Sequence, residues 1–411
     1  MKPRLAAITG IGVLAPCGIG IDAFWYGLDT DPGRRDQPLR VDDFDPAAWF
    51  GAKEVRRVDR FTQLAVAAAT MAVDDAGLDQ AGIDLGRAGV MVATGVGGLA
   101  SYDRQLTVLE EQGARRVSPF LIPMLMPNAA SAAVSMRFGW TGPCETVTTA
   151  CAAGTHGVAS GAGWIESGRC DVVLAGASEG HPTPVGMAAF ANMTALSPAG
   201  LSRPFDAERD GFLASEGAAM LVLEELGAAR DRGAHVYAAL AGAASNADAH
   251  HLTAPSEAGA GALACMRLAL ADAGLVAGDI GHINAHGTST PRNDAAEAAA
   301  ITALFGVPGP AVTSIKGVVG HPFGAAGAIE AAAAALTIDR RSIPPTAGYR
   351  TPDPTMTIDV VAGAPRPFEP GPVLSNSFAF GGHNACIILV PAPLETSGPA
   401  AGLVEGGMGD S

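Results

Sequence analysis

Cys151 has the residue type and the setting that covalent chemistry on an acyl group would need. It follows the β-branched residues 147–149 and precedes the small residues 152–154, a pattern that predicts a strand turning directly into a helix. Unpaired backbone N–H groups at a helix start favour a thiolate, and a tight turn exposes a nucleophile. The alternative is a buried and inert thiol, as most cysteines are.

His286 lies at the end of a predicted strand and is followed by a turn rich in hydroxyl groups. Thr288 and Thr290 lie in this turn, and their side chains can hydrogen-bond a substrate arm that carries amides. The structural alternative is a polar turn with a capping threonine. His282 lies four residues before His286, but a zinc pair at this spacing requires a helix, which the glycines at 281 and 287 disfavour. We therefore expect no metal site.

Lys316 and His321 share a second loop, in which glycines 317, 320, 324 and 327 give the backbone freedom to turn. Glu330 lies one turn into the helix predicted after this loop, so it is placed to hold Lys316 as an ion pair. Two alternatives stay open, namely a glycine-rich connection with incidental polar residues and a phosphate-binding loop. The spacing of a Walker motif is absent.

A third loop follows the predicted strand 374–378 and reads AFGGHN over residues 379–384. A backbone N–H group in such a loop can stabilise an oxyanion, and the ring of Phe380 can swing as a gate. By itself the segment predicts only a turn or a β-bulge. A cysteine nucleophile, two histidines, a lysine and an oxyanion loop are together what a Claisen condensation on a thioester requires.

The elements that must position these loops alternate between strand and helix, which indicates an α/β fold. Strand-like runs cover 5–12, 88–93, 145–150, 171–176, 218–225, 236–244, 282–285, 374–378 and 385–390. Helical patterns cover 61–76, 152–166, 259–273, 295–305 and 325–336. The strand at 6–12 resembles the strand at 238–244, which indicates either an internal duplication or two unrelated strands that end in glycine. Residues 29–49 are predicted to be a surface excursion.

The composition excludes several classes of protein. The chain has 411 residues, 48% of them hydrophobic and 16% charged, with a formal net charge of −15. It can bury a large core, and it lacks the basic field that nucleic acid binding needs. No secretory leader and no run of about 20 apolar residues is visible, so we expect no membrane association. Six cysteines without paired spacing favour a reduced, cytoplasmic location.

Four ordered motifs make the chain resemble the β-ketoacyl-ACP synthases of the elongating KAS I/II branch. They are TAC at 149–151, HGTST at 286–290, Lys316 with GH at 320–321, and NSF-x-FGG-x-N at 376–384. The resemblance implies the thiolase fold, in which two duplicated α/β halves form five layers (αβαβα). It implies an N-terminal half over residues 1–240 with the cysteine, a C-terminal half over 241–391 with the histidines, and a flexible tail over 392–411.

The same resemblance implies a role for each site residue. Cys151 takes the acyl chain from the phosphopantetheine thiol of a carrier protein. His286 and His321 promote malonyl decarboxylation and polarise the thioester carbonyl. Lys316 tunes His321, and Glu330 orients the lysine. The remaining implied residues are Cys151 and Phe380 for the oxyanion hole, Phe380 as the gate, Thr288 and Thr290 for the pantetheine arm, and Val96, Phe378, Ala379 and His383 for substrate binding.

A local cluster of basic residues at 53–60 stands out in this acidic chain. On charge alone it is either a solvated helix start or a docking site. The family docks its acidic acyl carrier protein at positions that match Lys53, Arg56 and Arg57, so the resemblance implies docking there. It also implies a homodimer or a heterodimer with a chain-length-factor subunit. No permanently bound cofactor is implied, because the substrates arrive on the carrier.

Two positions depart from the usual family loop. Ala379 replaces a glycine, which we expect to stiffen the gate, and His383 replaces a threonine and adds bulk. The residues after Cys151 are similar to those of stand-alone ketosynthases of type II polyketide systems. We therefore expect an elongating β-ketoacyl-ACP synthase of polyketide synthesis.

Three alternatives compete with this interpretation. The first is a housekeeping fatty-acid KAS II. The second is a silent chain-length factor, which usually has glutamine in place of the cysteine. The third is a thiolase or an initiating synthase, and the pair His286 and His321 fits neither of these.

Overall fold

The computed structural model describes residues 4–79 and 82–392. In chain order its strands are β1 Ala6–Ala15, β2 Gly18–Ile19, β3 Ala88–Ala93, β4 Cys144–Glu145, β5 Val172–Glu179, β6 Gly217–Glu225, β7 Ala238–Ala247, β8 His282–Asn284, β9 Ala311–Thr313, β10 Ser342–Ile343, β11 Asp359–Val360, β12 Arg366–Pro367, β13 Val373–Phe378 and β14 His383–Val390. Its helices are α1 Ile21–Gly27, α2 Arg60–Asp75, α3 Leu99–Gln112, α4 Leu121–Leu125, α5 Ala129–Phe138, α6 Ala153–Glu166, α7 Pro184–Asn192, α8 Leu226–Asp231, α9 Ala260–Ala273, α10 Pro291–Phe305, α11 Lys316–Val319 and α12 Ala326–Arg340.

The strand order repeats itself about the contact between β1 and β7. The main sheet runs β11-β9-β8-β13-β14-β7-β1-β6-β5-β3-β4. In each half the first strand pairs antiparallel with the last strand, β1 with β6 and β7 with β14. The last strand pairs antiparallel with the strand before it, and parallel neighbours follow, β5-β3-β4 and β13-β8-β9. The two halves share one topology, as an internal duplication requires.

Helices separate and cover the two half-sheets. α6 and α12 lie between them, α2 and α5 pack on the outer face of the first half, and α9 and α10 cover the second. Strand side chains alternate accordingly: Val173 of β5 joins the central core, and Leu174 joins the outer core with α2. Ile387 and Ile388 of β14 divide in the same way. The five layers confirm the predicted thiolase fold.

The central layer is built from small residues because two helices must fit between two sheets. All residues of α12 from Ala326 to Ile338 are buried. In α6 a Cβ on Gly154 would stand 2.6 Å from the backbone nitrogen of Ala328, and one on Gly161 would stand 2.5 Å from the Cβ of Ala175. These glycines therefore set how closely α6 approaches α12 and β5.

Several predicted elements change in the structure. The predicted strand 145–150 contracts to β4 at the sheet edge, and residues 146–150 leave the ladder before a positive φ of 50° at Ala150. The predicted surface excursion 29–49 is anchored by three buried side chains, Leu39, Val41 and Phe44. The predicted tail lies outside the described residues apart from residue 392. Across residues 4–79 and 82–392, no helix combines the length and apolar character that a bilayer crossing needs.

We expect Gly161→Ala to lower the free energy of unfolding by about 1–3 kcal/mol, because the added methyl group overpacks the contact with β5. Gly163→Ala in the same helix is the matched control. A Cβ there would meet nothing within 4 Å, and alanine has the higher helix propensity, so this variant should be as stable as the wild type or about 1 kcal/mol more stable. Denaturant unfolding of both variants checks the prediction, and equal stability of the two would contradict it.

Candidate active site

The chemically active residues follow strands that end at one edge of the sheets. His286, Lys316 and Ala379 come shortly after β8, β9 and β13, which are parallel to one another. The carboxyl ends of parallel strands meet at one edge, so these loops converge. Cys151 reaches the same place from the other half through the segment between β4 and α6. A cavity of about 370 Å³ opens over this point.

The thiol of Cys151 contacts one histidine directly. His321 Nε2 lies 3.2 Å from Cys151 Sγ. The backbone N–H of His321 donates to Leu213 O at 2.7 Å, and its carbonyl accepts from Ser215 N at 3.1 Å, so the segment before β6 holds the histidine in place. The backbone N–H groups of Phe380 and of Cys151 itself also lie against the thiol. The structure thus brings together the nucleophile, an imidazole and the predicted pair of oxyanion donors.

Burial rather than the helix start controls the ionisation of Cys151. The protein atoms around the thiol remove its hydration and raise its pKa to about 12, although Lys316 and the N–H groups of Phe380 and Cys151 oppose this. The backbone N–H groups favour the thiolate as predicted, but burial outweighs them and favours the neutral thiol. The contact with His321 gives that thiol a base within reach.

Lys316 joins the two loops of the second half through a buried ion pair. Its ammonium pairs with Glu330 of α12, and each side chain is 1% exposed. The same Nζ donates to His286 O at 2.6 Å and lies 3.4 Å from His286 Nδ1. The lysine therefore directly contacts His286, and its positive charge also lowers the pKa of His321, as the family resemblance implied. Donation to Nδ1 leaves the proton of a neutral His286 on Nε2.

Both histidines are neutral in this environment. Burial lowers the pKa of His286 and of His321 well below the ordinary value, and the positive charge of Lys316 lowers both further. Their rings stand nearly perpendicular with centroids 5.6 Å apart. Two neutral imidazoles side by side can donate hydrogen bonds to one oxygen without bringing positive charge into the cavity.

Two buried glutamates that sequence analysis missed hold the backbone of the site loops. Glu297 accepts from the N–H groups of His286 and Gly287, each at 2.8 Å. Glu179 accepts from Gly95 N at 2.6 Å and Gly324 N at 3.0 Å. Burial raises the pKa of each carboxyl to about 7. The available signals were an acid on the buried stripe of α10 and an acid at the end of the buried strand β5.

The other predicted site residues differ in where they lie. Thr288 and Thr290 line the cavity, and their hydroxyl oxygens are 2.9 Å apart. Val96 is 59% exposed and does not line the cavity of the single chain. Further lining residues that sequence analysis did not select are Phe190, Phe212, Phe323, Arg292 and Asp248.

The aromatic–glycine loop closes one wall. Phe378, Ala379 and Phe380 line the cavity, while His383 is exposed with its ring 3.1 Å from a Cβ placed on Gly381. Ala379 has φ −115° and ψ 159°, an extended conformation that any residue adopts. The backbone at Ala379 therefore carries none of the strain that the loss of glycine suggested. The positive φ angles of this loop occur at Gly381 and Gly382, where the sequence has the glycines usual in the family.

The predicted docking residues Lys53, Arg56 and Arg57 are exposed near the start of α2. The guanidinium of Arg57 lies 4.6 Å from the ring centroid of Phe120, and Arg56 lines a surface groove together with Arg40 and Arg104. Within the described part of the chain, none of these basic residues forms an ion pair. The groove therefore presents free positive charge on an acidic protein.

We expect Glu330→Ala to lower the free energy of unfolding by about 3–5 kcal/mol, because it leaves the buried charge of Lys316 without a partner. The control is Asp359→Ala, which breaks the pair with Arg366 where both side chains are about 40% exposed. That change should cost about 0–1 kcal/mol. Denaturant unfolding measures both losses. Equal losses would show that the buried pair does not stabilise the site as we infer.

Comparison with known protein families matches this chain to the β-ketoacyl synthases. Residues 31–229 match the N-terminal domain of β-ketoacyl synthases and residues 237–350 match their C-terminal domain. The 3-oxoacyl-[acyl-carrier-protein] synthase 2 of Synechocystis is 39% identical over 94% of this chain and 98% of its own length. A putative polyketide β-ketoacyl synthase 1 of Streptomyces cyaneus is 40% identical over 94% of this chain and 98% of that one.

Two solved structures share the architecture over nearly the whole chain. The ishigamide ketosynthase/chain length factor superposes with a TM-score of 0.90 and 35% identity, covering 95% of this chain and 100% of that one. AntDE with AntF, a type II PKS acyl-carrier protein in complex with its ketosynthase, gives a TM-score of 0.87 and 31% identity over 95% and 100%.

Proposed function

The chain belongs to the β-ketoacyl synthase family and is a condensing enzyme that transfers acyl groups, and we propose that it elongates a carrier-bound acyl chain in a type II polyketide pathway. The observation that carries the proposal is the contact of 3.2 Å between Cys151 Sγ and His321 Nε2, beside the N–H groups of Phe380 and Cys151. This arrangement suits nucleophilic attack on a thioester with stabilisation of the resulting oxyanion.

The first half-reaction loads the nucleophile. As the sulfur of Cys151 attacks the thioester carbonyl, its proton passes to His321 Nε2, and the carbonyl oxygen becomes an oxyanion held by the N–H groups of Phe380 and Cys151. Collapse of this intermediate breaks the bond to the carrier thiol, which leaves with the proton from His321. A thiol with a raised pKa is not a resting nucleophile, so transfer to a neutral imidazole is the step that activates it.

The second half-reaction uses both histidines as neutral donors. His321 accepts the Cys151 proton as its Nδ1–H tautomer, so after the carrier thiol has left it must exchange through water to the Nε2–H tautomer. The malonyl thioester oxygen then accepts from Nε2–H of His286 and of His321, and loss of CO2 leaves an enolate with its negative charge on that oxygen. The enolate carbon attacks the acyl group on Cys151, the bond to sulfur breaks, and the thiolate takes a proton from water. Lys316 contributes by fixing the tautomer of His286 and by keeping both imidazoles uncharged.

Sequence identity alone does not separate two pathways. The fatty-acid synthase relative from Synechocystis and the polyketide relative from Streptomyces cyaneus are equally similar to this chain. The likeness to the ketosynthase/chain length factor and to the AntDE ketosynthase favours the polyketide pathway. A housekeeping KAS II is the second candidate, supported by the Synechocystis relative.

The remaining alternatives conflict with the site. A silent chain-length factor would lack the cysteine, whereas Cys151 lies against His321. A thiolase requires a second catalytic cysteine, and among the described residues that line the cavity Cys151 is the one cysteine. We therefore place the chain among catalytic, elongating synthases.

An acyl carrier protein is the partner we propose, because its acidic surface complements the exposed basic residues Lys53, Arg56 and Arg57. By analogy with the ishigamide ketosynthase/chain length factor, we propose that the enzyme pairs with a chain-length factor, and a homodimer is the alternative. We further propose that it holds no resident cofactor, because the substrates arrive on phosphopantetheine. A cytoplasmic location is in accord with the free cysteines and stays a proposal.

Cys151→Ala should abolish the acyl adduct, because the alanine side chain has no nucleophilic atom, while the two histidines should still decarboxylate malonyl-ACP. Intact-mass spectrometry after incubation with acyl-ACP measures the adduct. An adduct on Cys151→Ala would refute the role of Cys151.

His321→Ala should slow the decarboxylation of malonyl-ACP by about 100-fold or more, because one donor to the enolate oxygen is lost. The rate of CO2 release measures this step, and an unchanged rate would refute the role of His321.

Reversing the charges in Arg56→Glu/Arg57→Glu should raise the Kd for the carrier protein by about tenfold at low salt, because attraction becomes repulsion. The effect should shrink at high salt, where surface charges are screened. Arg267→Glu, which reverses an exposed charge on α9, serves as the control. Binding measured by titration calorimetry should be unaffected by the control. An unchanged Kd for the double variant would remove the docking assignment.

A further inference from the structure

One cation in the cavity wall has no part in the chemistry described so far. Arg292, the second residue of α10, lines the same cavity as Cys151 and is exposed. It forms no ion pair within the described ranges. Arg209, by contrast, pairs with Asp353 at 2.7 Å. The guanidinium of Arg292 is therefore free to bind an anion that enters the cavity.

The acidic residues near Arg292 are already engaged elsewhere. Asp294 is buried, and one of its oxygens accepts from Phe205 N at 2.8 Å. Asp248 lines the cavity, but its two carboxylate oxygens accept from Ser256 N at 2.9 Å and from Asn384 Nδ2 at 2.8 Å. Neither carboxylate turns to the guanidinium, so the positive charge of Arg292 is not neutralised within the protein.

Among the residues of segment 286–292 that line the cavity, exposure rises from His286 to Arg292. His286 is 2% exposed and Thr288 is 5% exposed, while Thr290 is half-buried and Arg292 is exposed. The segment therefore runs from the reaction centre to the cavity mouth. Imidazole, hydroxyl groups and guanidinium follow one another in this order.

A phosphopantetheine arm carries its chemical groups in the matching order. It has the thiol at one end, then two amides, and a phosphodiester at the end joined to the carrier. We infer that Arg292 binds that phosphate at the cavity mouth while Thr288 and Thr290 contact the amides and the thioester reaches Cys151. The inference rests on the proposed function, because it deepens how that site holds its substrate.

A guanidinium suits this role better than an ammonium would. It can donate two parallel hydrogen bonds to two phosphate oxygens, and charge-assisted bonds of this kind are stronger than neutral ones. Because Arg292 lies outside the reaction centre, it positions the arm and takes no part in bond making. Its contribution should therefore appear in loading by phosphorylated substrates and depend on the phosphate.

The test compares two acyl donors that differ only in the phosphate, hexanoyl-phosphopantetheine and hexanoyl-pantetheine. The rate constant for loading Cys151 is measured with each by intact-mass spectrometry. We expect the wild type to prefer the phosphorylated donor by about tenfold, the ratio expected for a charge-assisted hydrogen bond. In Arg292→Ala the ratio should fall towards one, and Arg292→Lys should keep part of the preference.

Arg267→Ala is the control, since it removes an exposed arginine from α9 that does not line the cavity. It should keep the wild-type ratio. The comparison is internal to each protein sample, so partial loss of folded enzyme does not change the ratio. An unchanged ratio in Arg292→Ala would overturn the assignment of Arg292 alone. If neither of these donors nor hexanoyl-ACP acylated the wild-type enzyme, the proposed function would be overturned, and the inference with it.

The source of the phosphate is tested in the same variants with hexanoyl-ACP and hexanoyl-CoA, which share the arm. Loss of loading from hexanoyl-ACP in Arg292→Ala supports the carrier arm as the ligand. Loss confined to hexanoyl-CoA would contradict it.

Discussion

Lys316 and Glu330 form an ion pair between two buried elements, and the geometry of the reaction centre depends on it. Glu330 belongs to α12 in the central layer, while Lys316 begins the short helix α11, which His321 follows. The lysine also contacts the backbone carbonyl and the ring nitrogen Nδ1 of His286. Charges buried to this degree are costly unless paired, so the pair has one favourable arrangement, and that arrangement orders both histidine loops.

The central layer places this ion pair where both halves can use it. α6 begins just after Cys151, and the adjacent helix α12 carries Glu330, so Cys151 of one half and the ion pair of the other half are held by two helices in contact. Their closeness depends on glycine and alanine at the contact, because larger side chains would hold the helices apart. Because the fold is duplicated, residues from two similar halves meet at the interface of α6 and α12, where they have different roles.

The reacting groups between the two halves are all shielded from water. Burial raises the pKa of the Cys151 thiol and lowers the pKa values of His286 and His321, so three groups that could carry charge are neutral at rest. In the proposed mechanism charge appears only transiently, on the His321 imidazolium, the Cys151 thiolate, the oxyanion and the enolate, and N–H donors face the two oxygen anions. The same enclosure would protect an acyl-enzyme from water. Arg292 lies outside it at the cavity mouth, where we infer that it binds the phosphate of the substrate arm.

The sequence by itself determined much of the fold and the identity of the reacting residues. Hydrophobic periodicity located most core strands and helices, because strands buried on both faces and small-residue central helices leave clear patterns. Cys151, His286, Lys316, His321 and Glu330 were selected from local motifs, since each lies in or next to a loop that joins a strand to a helix. Local patterns also predicted the Lys316–Glu330 pair, because the two lie on either side of one short loop.

Tertiary structure alone decided the ionisation state of Cys151, the histidine that Lys316 contacts, and the roles of Glu179 and Glu297. These depend on desolvation and on partners that are distant in the chain, such as Gly324 for Glu179. The sequence cannot display them, because hydration and hydrogen-bond geometry are set only when the two halves close on each other. The extended backbone at Ala379 and the free charge of Arg292 belong to the same class, since each is defined by what surrounds the residue and not by the residue itself.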